Sequence, residues 1–195
     1  MTATPTIVFV RHGETDWNAE GRLQGQRDIP LNTLGRGQAR RNGEVIARLL
    51  PEAAGYDFVA SPLMRARETM EIVRAAMGLD AKAYRLDKRL LELTFGEWEG
   101  LTYQDLEQSE PGSLAVRDAD KWGFTPPGGE SYDALSARIL AWLATLAAPS
   151  VVVAHGGVGR VLRQHLLGLD RAESVMEGFP QDRIFLWRDG KGEWL

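Results

Sequence analysis

Ile7-Val8-Phe9-Val10-Arg11-His12-Gly13 decides how this 195-residue chain is read. Four consecutive apolar residues end abruptly in a cation, an imidazole and a glycine. An apolar run this short, bounded by glycine, predicts a fully buried strand rather than a helix. Open parallel sheets bind ligands just past the carboxyl ends of their strands, and Arg11 and His12 stand at that point. Imidazole serves as nucleophile, base or metal ligand. A guanidinium beside it suits an anionic substrate, because its fork matches phosphate or carboxylate.

Working outward, Gly21–Pro30 is a polar loop close enough to fold over His12. Asn32 or Thr33 caps a helix running to about Leu50, where Pro51 stops it. Tyr56–Ala60 predicts a second strand. Ser61-Pro62 then predicts a helix start with Ser61 as N-cap, its core face formed by Ala66, Met70, Val73 and Met77. Arg65 falls near the first turn of that helix and so again near a strand's carboxyl end. Lys82–Leu86 is a further strand candidate, and Arg89–Gly100 reads as a third strand-to-loop transition in which Glu92, Glu97 and Glu99 compete for any acid role.

Residues 108–130 are the least regular, and predict a partial lid at about 101–130 within a single domain spanning 1–195. Trp122 and Phe124 either lend this lid an apolar wall or pack down. Ser131 caps a helix striped by Leu135, Ile139, Trp142, Leu143 and Leu146 and ended by Pro149-Ser150. Val151–Ala154 is the clearest buried strand and runs straight into His155-Gly156-Gly157. The helix that follows carries Val158, Val161, Leu162, His165, Leu166 and Leu169 on one stripe, which makes His165 a packed structural residue. Ile184–Trp187 is the last strand, with Gly192–Leu195 as a short edge. Strands alternating with amphipathic helices predict an α/β fold, a three-layer α/β/α sandwich with a mostly parallel central sheet.

Composition narrows the function. The chain is 44% hydrophobic and 26% charged, enough for one domain with a real core. A net charge of −4 without any Lys/Arg-rich run argues against nucleic acid as a partner. No cysteine is present, which excludes disulfides, thiolate zinc sites and a cysteine nucleophile. No early apolar run is long enough for a signal peptide or membrane span, so the expectation is a cytoplasmic protein without a membrane partner. Only His12, His155 and His165 are available for histidine chemistry.

Four strand ends therefore carry candidate groups: Arg11-His12, Arg65, Glu92 and His155. His155 also opens a helix whose backbone N–H groups and dipole favour an anion. Two arginines, two histidines, a helix N-terminus and a carboxylate suit a phosphoryl group. One imidazole attacks phosphorus, the other donates to a non-bridging oxygen, and a carboxylic acid protonates the leaving alcohol. No metal and no cofactor is required. A zinc site on the two histidines and Glu92 is the metal-based rival, and the neighbouring guanidiniums disfavour it.

Arg11-His12-Gly13-Glu14-Thr15 resembles the signature of the histidine phosphatase superfamily, the phosphoglycerate mutase-like proteins. Similar blocks follow in the family's order: Asp16-Trp17-Asn18, Gly21–Gly25, Leu34-Gly35, Ala60–Ala66, Leu93–Gly100, Pro127–Ser131 and Ala154–Gly157. The resemblance implies His12 as the phosphorylated nucleophile, with Arg11, Arg65 and His155 completing the phosphate pocket and Glu92 as proton donor. It implies Asn18 and the Gly156 N–H as phosphate ligands, with Thr15 and Gln24 close by. Trp17 and Trp98 are read as local packing, Glu14 as orienting its loop, and Glu130 as lying near a helix start.

Cofactor-dependent mutases of the family tend to carry Ser at the position of Thr15, Asn at that of Gly157, and a pair of arginines in a longer lid. Here Arg117 is followed by Asp118. These departures resemble the small phosphatase branch, which implies a metal-independent phosphatase acting on a small phosphorylated metabolite. A bisphosphoglycerate-dependent mutase and a non-catalytic phosphate-binding protein are the alternatives. A homodimer, common in folds of this kind, is an expectation.

Overall fold

The computed structural model of the chain describes residues 4–195, so the expected domain span of 1–195 begins outside the described part. The first strand, β1 (Ile7–Arg11), leads into a one-turn helix, α1 (Asp16–Ala19). Then come α2 (Thr33–Leu49), β2 (Asp57–Ala60), α3 (Met64–Ala76) and β3 (Arg85–Leu86). Two short helices, α4 (Tyr103–Ser109) and α5 (Ser113–Ala119), precede α6 (Tyr132–Leu143). The chain closes with β4 (Ser150–Ala154), α7 (Gly156–Leu167), α8 (Arg171–Met176), β5 (Ile184–Arg188) and β6 (Lys191–Trp194).

The six strands form one sheet in the order β3-β2-β4-β1-β5-β6. β1 lies parallel to β4, β4 to β2 and β2 to β3, whereas β5 and β6 run antiparallel at one side. β1 and β4 are apolar at nearly every position because both sheet faces are covered. Val8, Val10, Val151 and Val153 pack with Ile46 of α2 and Ala66, Met70 and Val73 of α3. Ile7, Phe9, Val152 and Ala154 pack on the opposite face with Leu135, Ile139 and Trp142 of α6 and Val158, Val161 and Leu162 of α7. Helices thus sandwich the sheet as three layers, and the carboxyl ends of β1, β2 and β4 share one edge.

Asn32 caps α2 by accepting a hydrogen bond from Gly35 N–H. The same turn lies directly on the His12-Gly13 loop. A Cβ on Gly13 would stand 2.7 Å from the Gly35 carbonyl carbon, so only glycine permits this backbone approach.

Several local expectations need correction. Ser61 does not cap α3, whose N-cap is Leu63. The Ser61 hydroxyl is instead bonded to His155. The strand expected over 82–86 shrinks to Arg85 and Leu86, because only these residues pair with β2, at the sheet edge. The segment 89–100 holds no strand, and Glu92 follows a single 3-10 turn at Lys88–Leu90. α6 ends at Leu143 rather than at Pro149. His165 lies on α7 but is exposed rather than packed, although Leu166 and Leu167 of the same turn still pack against the core. Trp122 and Phe124 pack down: Trp122 is buried and stacked on Tyr132, and Phe124 stacks on Trp98.

Candidate active site

His12 follows β1, and its N–H bonds to Ala154 O at the end of β4. Its Nδ1 lies 2.8 Å from Gly13 O. A carbonyl only accepts, so Nδ1 carries the proton and Nε2 holds the lone pair. Arg65 Nε donates to that Nε2 at 3.2 Å. The His12 pKa is held well below the usual imidazole range by burial and then by the Arg65 and Arg11 charges. His12 is therefore neutral at neutral pH, as a nucleophile must be.

His155 sits behind it, with ring centroids 5.2 Å apart. It is fully buried. Its Nε2 lies 2.7 Å from Ser61 Oγ, and its Nδ1 has no partner among the described residues. Burial first, then Arg65, His12 and Arg11, keep His155 neutral as well.

Two guanidiniums flank the imidazoles. Arg11 donates from Nη1 to Phe179 O at 2.6 Å, while its buried Nε is unpartnered. Arg65 donates from Nη1 and Nη2 to the carbonyls of Arg27 and Gly25, each at 2.7 Å. It thereby ties the Gly21–Pro30 loop over His12. Burial lowers both arginines to about 10, so both remain cationic at neutral pH.

The three candidate carboxylates separate by geometry. Glu99 Oε1 accepts from Gln26 N, Thr94 Oγ1 and Phe95 N, which makes it a structural brace. Glu97 is exposed. Glu92 alone lines the cleft, with Oε2 accepting from Gly157 N and Oε1 from Leu93 N, both at 3.0 Å. Its seat exists because residue 157 has no side chain: a Cβ there would meet Glu92 and Leu93.

The cleft is a small cavity of about 200 Å³. Arg11, His12, Asn18, Gln24, Arg65, Glu92 and Gly156 of the expected residues line it. Thr15 and His155 do not. Thr15 is buried and caps α1, where its hydroxyl and N–H both bond to Asn18 Oδ1. Gln181 Nε2 bonds to the same oxygen at 3.1 Å and to His12 O. The Asn18 carbonyl is thus saturated, leaving its amide as the donor for an anion. Trp98 is buried and Glu130 pairs with Arg138 at 2.7 Å, matching their expected structural roles. Glu14 Oε1 accepts from Asn32 and so joins the loop to the α2 cap.

Arg22, Phe95, Tyr103 and Arg160 also line the cleft, and Gln181 supports it from behind; none was marked by the sequence. Among the described residues no three of His, Cys, Asp and Glu come together at metal-ligand distances. No helix among them is long and apolar enough to cross a membrane.

The profile described as histidine phosphatase superfamily (branch 1) matches residues 7–181, from β1 to the glutamine behind His12. The chain belongs to that superfamily. A glucosyl-3-phosphoglycerate phosphatase of Mycolicibacterium vanbaalenii is 36% identical over 176 residues, covering 84% of this chain and 74% of the relative. Phosphoglycerate mutase-like protein 4 of Arabidopsis thaliana is 38% identical over 162 residues, covering 80% and 68%. The solved mycobacterial glucosyl-3-phosphoglycerate phosphatase in complex with VO3 superposes with a TM-score of 0.80 at 32% identity, covering 98% of this chain and 96% of that one. Within this histidine phosphatase, the resemblance read from short motifs therefore extends to the whole sheet and both helical layers.

Proposed function

We propose that this histidine phosphatase hydrolyses small phosphomonoesters through a phosphohistidine on His12, with Glu92 as proton donor. The observation that carries the reading is the neutral His12, pinned by Gly13 O so that Nε2 faces a cleft with Glu92 on its wall. Arg11, Arg65, the Asn18 amide and the Gly156 N–H bind the phosphoryl oxygens, and His155 acts from behind His12 rather than from the cleft wall. His12 Nε2 attacks phosphorus, the P–N bond forms, and the ester P–O bond breaks as Glu92 hands its proton to the leaving oxygen. Glu92, now a carboxylate, then takes a proton from water, whose oxygen attacks phosphorus and breaks the P–N bond.

The arginines supply the positive charge that transition-state oxygens need, so no metal is called for. A cleft this small favours a small phosphorylated metabolite over a large ligand. The names of the mycobacterial relatives point the same way. A cytoplasmic setting and a lid role for residues 101–130 belong to this reading.

The test is inorganic phosphate release from a panel of phosphorylated metabolites with EDTA present, using wild type and His12→Ala. Turnover of one or a few compounds, its loss in the variant, and an acid-labile phosphoryl label on His12 are expected. Undiminished release by His12→Ala rejects the nucleophile. Silence across the panel, followed by isomerisation of 3-phosphoglycerate with bisphosphoglycerate, indicates a mutase instead.

A further inference from the structure

Between α8 and β5 the chain is irregular, and alternate residues of this stretch reach the site. Glu177 O accepts from Arg160 Nε at 2.8 Å, and Phe179 O accepts from Arg11 Nη1 at 2.6 Å. Gln181 Nε2 lies 3.1 Å from His12 O and 3.1 Å from Asn18 Oδ1. The stretch is anchored on both sides of these contacts. The Phe179 ring is wedged between Phe9 and Trp194, with centroids 5.2 and 4.9 Å away, and a Cβ on Gly159 would meet it. Gln181 O accepts from Nδ2 of the buried Asn42 on α2 at 3.0 Å.

Chemistry fixes how the two side-chain amides are turned. Thr15 N–H only donates, so the Asn18 atom it meets at 3.2 Å is the carbonyl oxygen. The His12 carbonyl only accepts, so the Gln181 atom facing it is the nitrogen. An amide nitrogen carries two hydrogens. One goes to the backbone of the residue that bears the candidate nucleophile, and the other to the residue whose own amide faces the cleft. Local structure does not call for this bridge. Thr15 already caps α1, and His12 N–H is already held by Ala154 O.

We propose that Gln181 is a positioning residue for phosphoryl transfer: its amide holds the His12 backbone and the Asn18 carboxamide at one separation, so that nucleophile and phosphate ligand meet the same phosphoryl group. The inference rests on the phosphohistidine reading above. Gln181 acts only through its two partners. Without the bridge each is free to shift on its own, and a misplacement of about 1 Å at a reacting group costs about 10²-fold.

The test measures hydrolysis of p-nitrophenyl phosphate, whose leaving group needs no proton, so that Glu92 drops out of the readout. The full chain is compared as wild type, Gln181→Met, Asn18→Ala and the double variant, with urea midpoints taken on each. Gln181→Met should lower kcat by about tenfold or more at a nearly unchanged midpoint. In the Asn18→Ala background the same replacement should cost only about threefold, because one of its two partners is gone. Gln181→Glu keeps the shape but has no donor at neutral pH, and should lose as much as Gln181→Met; it replaces that variant in the cycle if the latter does not fold. Wild-type kcat in either Gln181 variant overturns the proposal. Losses that simply multiply in the double variant overturn it too, since Gln181 then acts independently of Asn18. Wild type that releases no nitrophenol rejects the phosphatase reading and this inference together, whereas wild-type turnover with a silent Gln181 rejects this inference alone.

Discussion

Replacing Gly157 by Ala should disable Glu92, the proposed proton donor, while leaving the proposed phosphate pocket in place. A Cβ at residue 157 would stand 2.8 Å from Leu93 Cδ2 and 3.2 Å from the Glu92 carboxyl carbon, with Oε1 closer still. Restoring ordinary contact moves the carboxylate by roughly 1 Å, and a displacement of that size costs about 10²-fold in rate. The 3.0 Å bond from Gly157 N–H to Glu92 Oε2 is lost with it. Arg11, His12, Arg65 and Asn18 are untouched, so affinity for vanadate should hold within a few-fold. Single-turnover kinetics read the effect through the leaving group. An alkyl phosphate needs a proton as it departs and should lose about 10²-fold. p-Nitrophenyl phosphate leaves as a stable anion, and its phosphorylation step should lose less than about tenfold. Equal losses for the two esters, or none, in a variant with an unchanged melting temperature would refute the reasoning.

Ser61→Ala removes the 2.7 Å bond to His155 and leaves a fully buried imidazole with neither nitrogen paired; it should destabilise the fold by about 1–3 kcal/mol, read from urea midpoints. Gly96→Ala combines φ +59° with a Cβ 2.6 Å from Gly129 N, and should cost more than about 1 kcal/mol in thermal unfolding. His12 and His155 both have folded pKa values below the unfolded value near 6.5, because burial and then neighbouring cations oppose their protonation. The unfolded chain therefore binds more protons below that pH. Stability should be fully present above pH 6.5 and fall below it by about 1.4 kcal/mol per pH unit for each histidine. Identical urea midpoints at pH 7 and 5.5 would contradict the two neutral imidazoles.

Much of this architecture is legible because β1 and β4 are buried on both faces and read as continuous apolar runs, whereas β3 is an edge of two residues with no pattern to betray its length. Ser61 misleads for a physical reason: a serine before a proline has the form of a helix cap, yet a buried histidine 94 residues away claims the hydroxyl. Glu92, Glu97 and Glu99 are equivalent as sequence, and only the tertiary approach of Gln26 and Gly157 separates the bracing Glu99 from the cleft-lining Glu92. Arg160 and Gln181 carry no local signal at all. They become site residues when α7 and the segment after α8 fold against β1, an event no window of sequence contains.

The sheet order also governs when the enzyme comes into being. β1 lies between β4 and β5, paired through Ser150–Ala154 and Ile184–Trp187. None of its neighbours exists until synthesis has passed β4. Val8 and Val10 must wait unpaired on the nascent chain, an apolar segment exposed to chaperones and to aggregation, and folding follows synthesis rather than accompanying it. His12 is translated early but armed last. A product terminated before β4 lacks the strand that pairs with β1 at Arg11 and cannot assemble the cleft around His12.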